Sequence, residues 1–169
     1  MSKIRVYYSC DFENDSEIAQ QIMDLDIVHC DKPISKSEWE KIKLGGTATI
    51  KKWISDRMIF CSCLIVLIGE NTTKKPIINY EIKKAWTDNL GILGICVGNV
   101  KKQHRDNSTN KTNPFIQFSF DGINFSDIVK CYEPDKEDPY SDIKNNLEKW
   151  IKEAIEIRMK YMFEYAQIK

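Results

Sequence analysis

The chain has no apolar run long enough to span a bilayer, no Cys-x-x-Cys, and only two histidines in 169 residues. The first absence argues against a membrane protein, because a spanning helix needs about 20 apolar residues. The others leave no donor set with the spacing of a zinc or iron site, and His29 and His104 stand in no carboxylate-histidine pattern. Net charge is missing too. The 25 Lys and Arg balance 25 Asp and Glu, so no overall basic field is available to hold nucleic acid. No Gly-x-Gly-x-x-Gly follows the first strand-like segment and no Gly-x-x-x-x-Gly-Lys-Ser/Thr occurs, which leaves hydride transfer and P-loop phosphoryl transfer without support. No serine sits in a nucleophile elbow, and neither histidine has a triad context.

Six cysteines are present, at 10, 30, 61, 63, 96 and 131. Most lie in or beside apolar runs, where a free thiol behaves as a small hydrophobe. The opening Met1-Ser2-Lys3-Ile4-Arg5 leads straight into a strand pattern without the features of a signal peptide. Free thiols without an export signal point to the cytoplasm. The length suits a single domain over residues 1–169, with a core over roughly residues 3–100 and a C-terminal extension carrying a long helix over roughly residues 140–166.

Residues 4–9, Ile-Arg-Val-Tyr-Tyr-Ser, are rich in β-branched and aromatic side chains and predict a first strand. Asp11 to Ser16 offer several helix caps, and Ile18, Ala19, Ile22 and Met23 give a helical stripe. Residues 26–29 predict a brief second strand. The connection that follows, with Pro33, Ser35, Ser37, Trp39 and Gly45-Gly46, reads as a long polar loop. Ile50, Trp53, Ile54, Arg57 and Met58 mark a second helix, leading into the continuous apolar strand Cys63-Leu64-Ile65-Val66-Leu67-Ile68. A strand apolar on both faces is buried, which favours a parallel sheet. A third helix covers residues 76–86, and residues 91–98 predict another strand. Residues 101–113 read as an exposed loop. Phe115 to Phe120 alternate and end in the turn signal Asp121-Gly122, and a long amphipathic helix, capped by Ser141, closes the chain. This order predicts an α/β three-layer sandwich, a flavodoxin-like parallel sheet with helices on both faces.

One residue stands out in the third helix. At about 100° per residue, Ile77, Ile78, Ile82, Ala85 and Trp86 fill roughly half of the circumference, and Glu81 falls inside that arc. Burying a carboxylate costs several kcal/mol unless it is paired or protonated. In sheets of this type ligands bind outside the carboxyl ends of the strands, where Ser9 to Asn14, the loop of residues 31–46 and the start of the Glu81 helix converge. A lone carboxylate in a half-apolar cleft suits cleavage of an N-glycosidic bond with a good leaving group. Ordinary glycosidases need a second carboxylate to protonate the departing oxygen. Nicotinamide leaves NAD as a neutral molecule, so one carboxylate suffices to stabilise the developing positive charge.

Arg5-Val6-Tyr7-Tyr8-Ser9-Cys10-Asp11-Phe12-Glu13-Asn14-Asp15, Val66-Leu67-Ile68-Gly69-Glu70-Asn71-Thr72, Tyr80-Glu81-Ile82-Lys83-Lys84-Ala85-Trp86 and Asn89-Leu90-Gly91-Ile92-Leu93-Gly94-Ile95 resemble the TIR-like proteins of the bacterial Thoeris anti-phage system. Asn113-Pro114-Phe115 and residues 140–155 extend the resemblance over about the whole chain. It implies a TIR-like fold and an enzyme that takes NAD as substrate, needs no cofactor, and releases nicotinamide. The product implied is a cyclic or conjugated ADP-ribose messenger that switches on a downstream effector. Self-assembly into a homo-oligomer is compatible with it; nucleic acid and membrane are not implied. Glu81 would be the catalytic glutamate, Ser9, Cys10 and Asp11 would line the nucleotide cleft, and the loop around Trp39 would cover it. Ile77 stands where members often carry a tryptophan, four residues before the glutamate, and would form an apolar wall of the substrate site. Two other readings stay open: a noncatalytic TIR-like interaction module, and a nucleoside deoxyribosyltransferase-like enzyme with a carboxylate nucleophile. A phosphoacceptor receiver fits less well, since the apolar strand ends in Gly69-Glu70 and lacks the aspartate.

Overall fold

A strand buried on both faces needs a layer on each side, and the computed structural model provides both. It describes residues 2–101 and 113–166. Strand β1 (Val6–Ser9) is followed by helices α1 (Phe12–Met23), α2 (Lys36–Leu44) and α3 (Gly46–Met58). Next come β2 (Cys63–Ile68), α4 (Pro76–Thr87), β3 (Gly91–Cys96) and the short α5 (Gly98–Lys101). The hairpin β4 (Ser119–Phe120) and β5 (Ile123–Asn124), the turn of helix α6 (Phe125–Ile128), β6 (Cys131–Tyr132) and α7 (Pro139–Ala166) complete the chain.

The main sheet has the order β1-β2-β3-β6, and every pairing in it is parallel. Alternation along β2 sends Cys63, Ile65 and Leu67 into a core with Ile18, Ile22, Ile143, Leu147 and Ile151, which belong to α1 and α7. Leu64, Val66 and Ile68 enter a second core with Ile54, Met58, Ile78 and Ile82, which belong to α3 and α4. The molecule is therefore the three-layer α/β sandwich expected from the order of elements. All six cysteines are free. No described helix is long and apolar enough to cross a membrane.

Several local expectations are corrected. The strand expected at residues 26–29 is a single parallel bridge, Arg5 to His29, with Val6 N–H donating to His29 O at 2.8 Å and His29 N–H to Ile4 O at 2.9 Å. Asp26 turns the chain at φ 52°, and little extended backbone is left before Pro33, which has no N–H to give to a ladder. The loop expected at residues 31–46 contains α2. Its start is a reciprocal capping box, Ser35 with Glu38. Residues 115–120, expected as a strand, are a 3-10 turn (Pro114–Gln117) followed by β4. The turn at Asp121-Gly122 does form, with φ of 50° and 77° at the two residues, the positive pair that a tight hairpin requires. Helix α7 is capped by Asp138, whose Oδ1 accepts the Ser141 N–H at 3.2 Å, so Ser141 lies inside its first turn. Of the expected loop at residues 101–113, residues 102–112 lie outside the described residues.

Gly91 lets α7 approach the sheet closely. A Cβ there would stand 2.7 Å from the backbone N of Ile155 and 2.8 Å from the carbonyl carbon of Ala154. Backbone in the middle of a long helix cannot rotate aside. Gly91→Ala is expected to destabilise the fold by about 1–3 kcal/mol, as overpacking does. The check is urea denaturation, where the midpoint falls while the slope stays the same.

Candidate active site

The site is built where β1 ends and α4 begins. Pro76 occupies the first turn of α4, where its missing N–H costs nothing. From there Ile78, Ile82 and Ala85 turn inward at helical spacing, and Glu81 turns inward with them. Its side chain is 5 % exposed. The apolar stripe thus carries the carboxylate against the sheet, as the periodicity predicts.

Two hydroxyls meet it there. Side chains alternate along a strand, so Tyr7 and Ser9 of β1 share one face. The Tyr7 phenol donates to Glu81 Oε1 at 2.7 Å, and the Ser9 hydroxyl donates to Oε2. Each carboxylate oxygen therefore has one neutral donor. Among the described residues no cation lies within ion-pair distance of Glu81; the nearby Lys75 pairs instead with Asp11 at 3.3 Å and Glu13 at 3.5 Å. Burial pushes the Glu81 carboxyl up from 4.5 to about 7, and the Ser9 and Tyr7 hydrogen bonds oppose that rise. Burial also raises the Tyr7 phenol well above its ordinary value, with a further push from Glu81. Tyr7 therefore remains a donor at any physiological pH.

A cavity of about 540 Å³ opens in front of the carboxylate, within the size range of small-molecule and cofactor sites. Glu81, Cys10, Asp11, Trp39 and Ile77 all line it. Ser9, expected on the wall, is set behind it: the residue is buried and its hydroxyl is given to Glu81. Asp11 sits at the start of α1, with one oxygen near Lys75 and the other accepting from Asn14 Nδ2 at 2.6 Å. Ile77 is half-buried, one helical turn before Glu81, and contributes an aliphatic wall.

Trp39 departs from its expected setting. It is the buried residue of α2, not part of an irregular loop. Its ring packs at 6.0 Å from Phe12 and 5.8 Å from Trp53, centroid to centroid, and the Arg57 guanidinium covers Trp53 at 4.7 Å. These contacts pin α2 to α1 and α3 and make one aromatic side of the cavity. Tyr7 was not singled out from the sequence. The available signal was its two-residue spacing from Ser9, which places both on the face that α4 covers.

Chemically the site offers a buried ionisable carboxylate, held by neutral donors and facing a half-open, partly apolar space. No cluster of three or more His, Cys, Asp or Glu able to hold a metal occurs among the described residues. The family model for the Thoeris protein ThsB, TIR-like domain, matches residues 7–102. That span is more than half of the chain and includes β1 from Tyr7 onward, β2, α4 and β3. Among curated proteins none matches the chain.

Proposed function

The chain belongs to the TIR-like domain family of the Thoeris protein ThsB, a defence-related family, and from that footing we propose that it is an enzyme cleaving NAD in the cytoplasm. The supporting observation is Glu81, a buried carboxylate free of any cationic partner among the described residues, facing a nucleotide-sized cavity at the carboxyl end of a parallel sheet. Such a group is costly to keep unless the cavity receives a positive charge.

The reaction follows from that pairing. NAD binds with its nicotinamide ribose against Glu81, Ile77 bordering the apolar part of the site and the aromatic side around Trp39 bordering another. The bond between ribose C1′ and the pyridinium nitrogen breaks, and its electron pair stays on that nitrogen. Neutral nicotinamide leaves without needing a proton. The Glu81 carboxylate faces the oxocarbenium charge that develops at C1′, an electrostatic stabilisation fixed in advance by Tyr7 and Ser9. A nucleophile then bonds to C1′ and gives up its proton. Water yields linear ADP-ribose, a group of the ADP-ribose itself yields a cyclic product, and a second molecule yields a conjugate. The cyclic or conjugated products would serve as the messenger for a downstream effector.

The test is mass analysis of NAD incubated with concentrated protein, so that any self-assembly is complete. Nicotinamide together with an ADP-ribose-derived nucleotide is the expected result. A protein that leaves NAD intact, alone or with its partners present, overturns the reading. That outcome would favour a noncatalytic interaction module, for which the aliphatic Ile77 in place of an aromatic is the supporting feature.

A pH dependence also follows. Only the ionised carboxylate stabilises the cation, and Glu81 titrates near 7 in the unliganded protein. The kcat/KM for nicotinamide release should therefore be flat above about pH 8 and fall about tenfold per unit below pH 7, to roughly one hundredth of the plateau at pH 5. A profile that rises toward acid would mean that Glu81 works as a protonated group.

A further inference from the structure

Glu81 is positioned by two hydroxyls of the same strand, and they are not equivalent. Ser9 ends β1 behind the cavity, whereas Tyr7 borders the cavity and reaches the carboxylate from the core formed by α3, α4 and the sheet, packed with Ile54, Met58, Leu64 and Ile78. Packing alone gives a phenol no advantage over phenylalanine there, because the ring makes the core contacts and the oxygen adds only a hydrogen-bonding group. Its single acceptor is Glu81 Oε1 at 2.7 Å, 74 residues away along the chain.

We infer that Tyr7 is a positioning residue whose buried hydroxyl orients Glu81 and favours its ionised form while leaving its negative charge unneutralised for the substrate. This inference rests on the NAD-cleaving reading of the site. A lysine or arginine in the same place would hold the carboxylate more strongly, but it would cancel the charge that the departing pyridinium and the ribose cation need. A neutral donor lowers the cost of ionisation without supplying a counter-charge. Around the carboxylate, the walls carry Cys10 and Asp11 past the end of β1, Glu13 on α1, Arg57 on α3 and Lys75 ahead of α4. Asp11 and Glu13 share Lys75, Arg57 lies 3.6 Å from Asp31 and Lys43 pairs with Glu40, while Glu17, Lys32 and Lys36 complete the charged lining. From β2 only apolar side chains, Leu64, Val66 and Ile68, pack in this core. Tyr7 and Ser9 are therefore the groups that favour the ionised form of Glu81 against the burial that raises its pKa.

Tyr7→Phe keeps the ring and removes only the donor. The midpoint of the kcat/KM profile for nicotinamide release is expected to move up by about one pH unit, with activity returning to within about threefold of the wild-type plateau at high pH. A merely structural role predicts a loss equal at every pH, and an unmoved midpoint overturns the inference. Carbon-13 NMR titration of the Glu81 carboxyl, assigned with Glu81→Gln, reads the same shift without any turnover. If the protein does not cleave NAD, that titration still decides the matter: a higher midpoint in Tyr7→Phe supports the Tyr7–Glu81 coupling, and an unchanged one refutes it. Placing 3-fluorotyrosine at position 7 makes a stronger donor and should lower the midpoint; no movement there also counts against the inference.

Discussion

Glu81→Gln makes the folded protein more stable at pH 8, by about 3 kcal/mol, and the gain disappears toward pH 4.5. The sign follows from the direction of the shift. The carboxyl titrates near 4.5 when exposed and near 7 in the folded protein, so the folded state holds its proton more tightly than the unfolded chain does. Below about pH 4.5 both states are protonated and Glu81 imposes no electrostatic cost. Between 4.5 and 7 the unfolded chain ionises first, and stability is lost as the pH rises. Above 7 the full difference, about 2.5 units at about 1.4 kcal/mol each, has been spent on holding a buried charge. Glutamine never ionises and can keep both contacts: its oxygen accepts from Tyr7 and its amide donates to Ser9, whose hydroxyl can accept as well as donate. For a chain of this size the gain corresponds to roughly 6–12 °C in melting temperature at pH 8. Thermal melts of the two proteins across pH 4.5–8.5 measure it. Parallel curves would mean that Glu81 titrates in the folded protein as it does in the unfolded chain, and the buried charge assigned to it would fail.

The same substitution should abolish catalysis. Glutamine preserves shape and hydrogen bonding and removes only the negative charge, which is the one feature that responds to a cation forming at the ribose. Removing a single preorganised electrostatic contact typically costs 10²–10³ in kcat, about 3–4 kcal/mol of transition-state stabilisation. Among the described residues no second carboxylate pairs with Glu81 to share the work, so nicotinamide release is expected to fall at least 100-fold. A protein that becomes more stable as it becomes inactive carries its strain for function, as expected of a site that holds a charge ready for its substrate. A loss of activity that accompanied a loss of stability would point instead to a structural glutamate.

Much of this architecture could be read from the chain because its decisive signals are local. The six apolar residues of β2 cannot be exposed on either face. The helical spacing of Ile78, Ile82 and Ala85 fixes which way α4 turns, and Glu81 is carried along with them. Where local signals are short or mixed, the reading misses. Helix α2 carries only Trp39, Ile42 and Leu44 as apolar residues and buries only the first, so its periodicity is weak; its capping box, Ser35 with Glu38, was the stronger mark of a helix start. Strand β6 has two residues, too few for alternation to register, and exists because β3 presents Gly94 and Ile95 to it. His29 adds one bridge at the opposite edge because the turn at Asp26 and the proline at 33 leave little extended chain between them. In the site, Glu81 was legible from its breach of the apolar pattern. Tyr7 was not, since an aromatic in a strand already has a packing explanation, and its partner is brought near only by the fold. Ser9 was placed on the cavity wall by its position at the strand end, whereas its bond to Glu81 draws it behind that wall.

The charge of Glu81 acting on NAD is measured most directly by nicotinamide release at pH 8 from concentrated wild-type and Glu81→Gln proteins. The wild type should release nicotinamide, and the folded, more thermostable glutamine variant should do so at least 100-fold more slowly. Equal release by the two proteins would contradict the account.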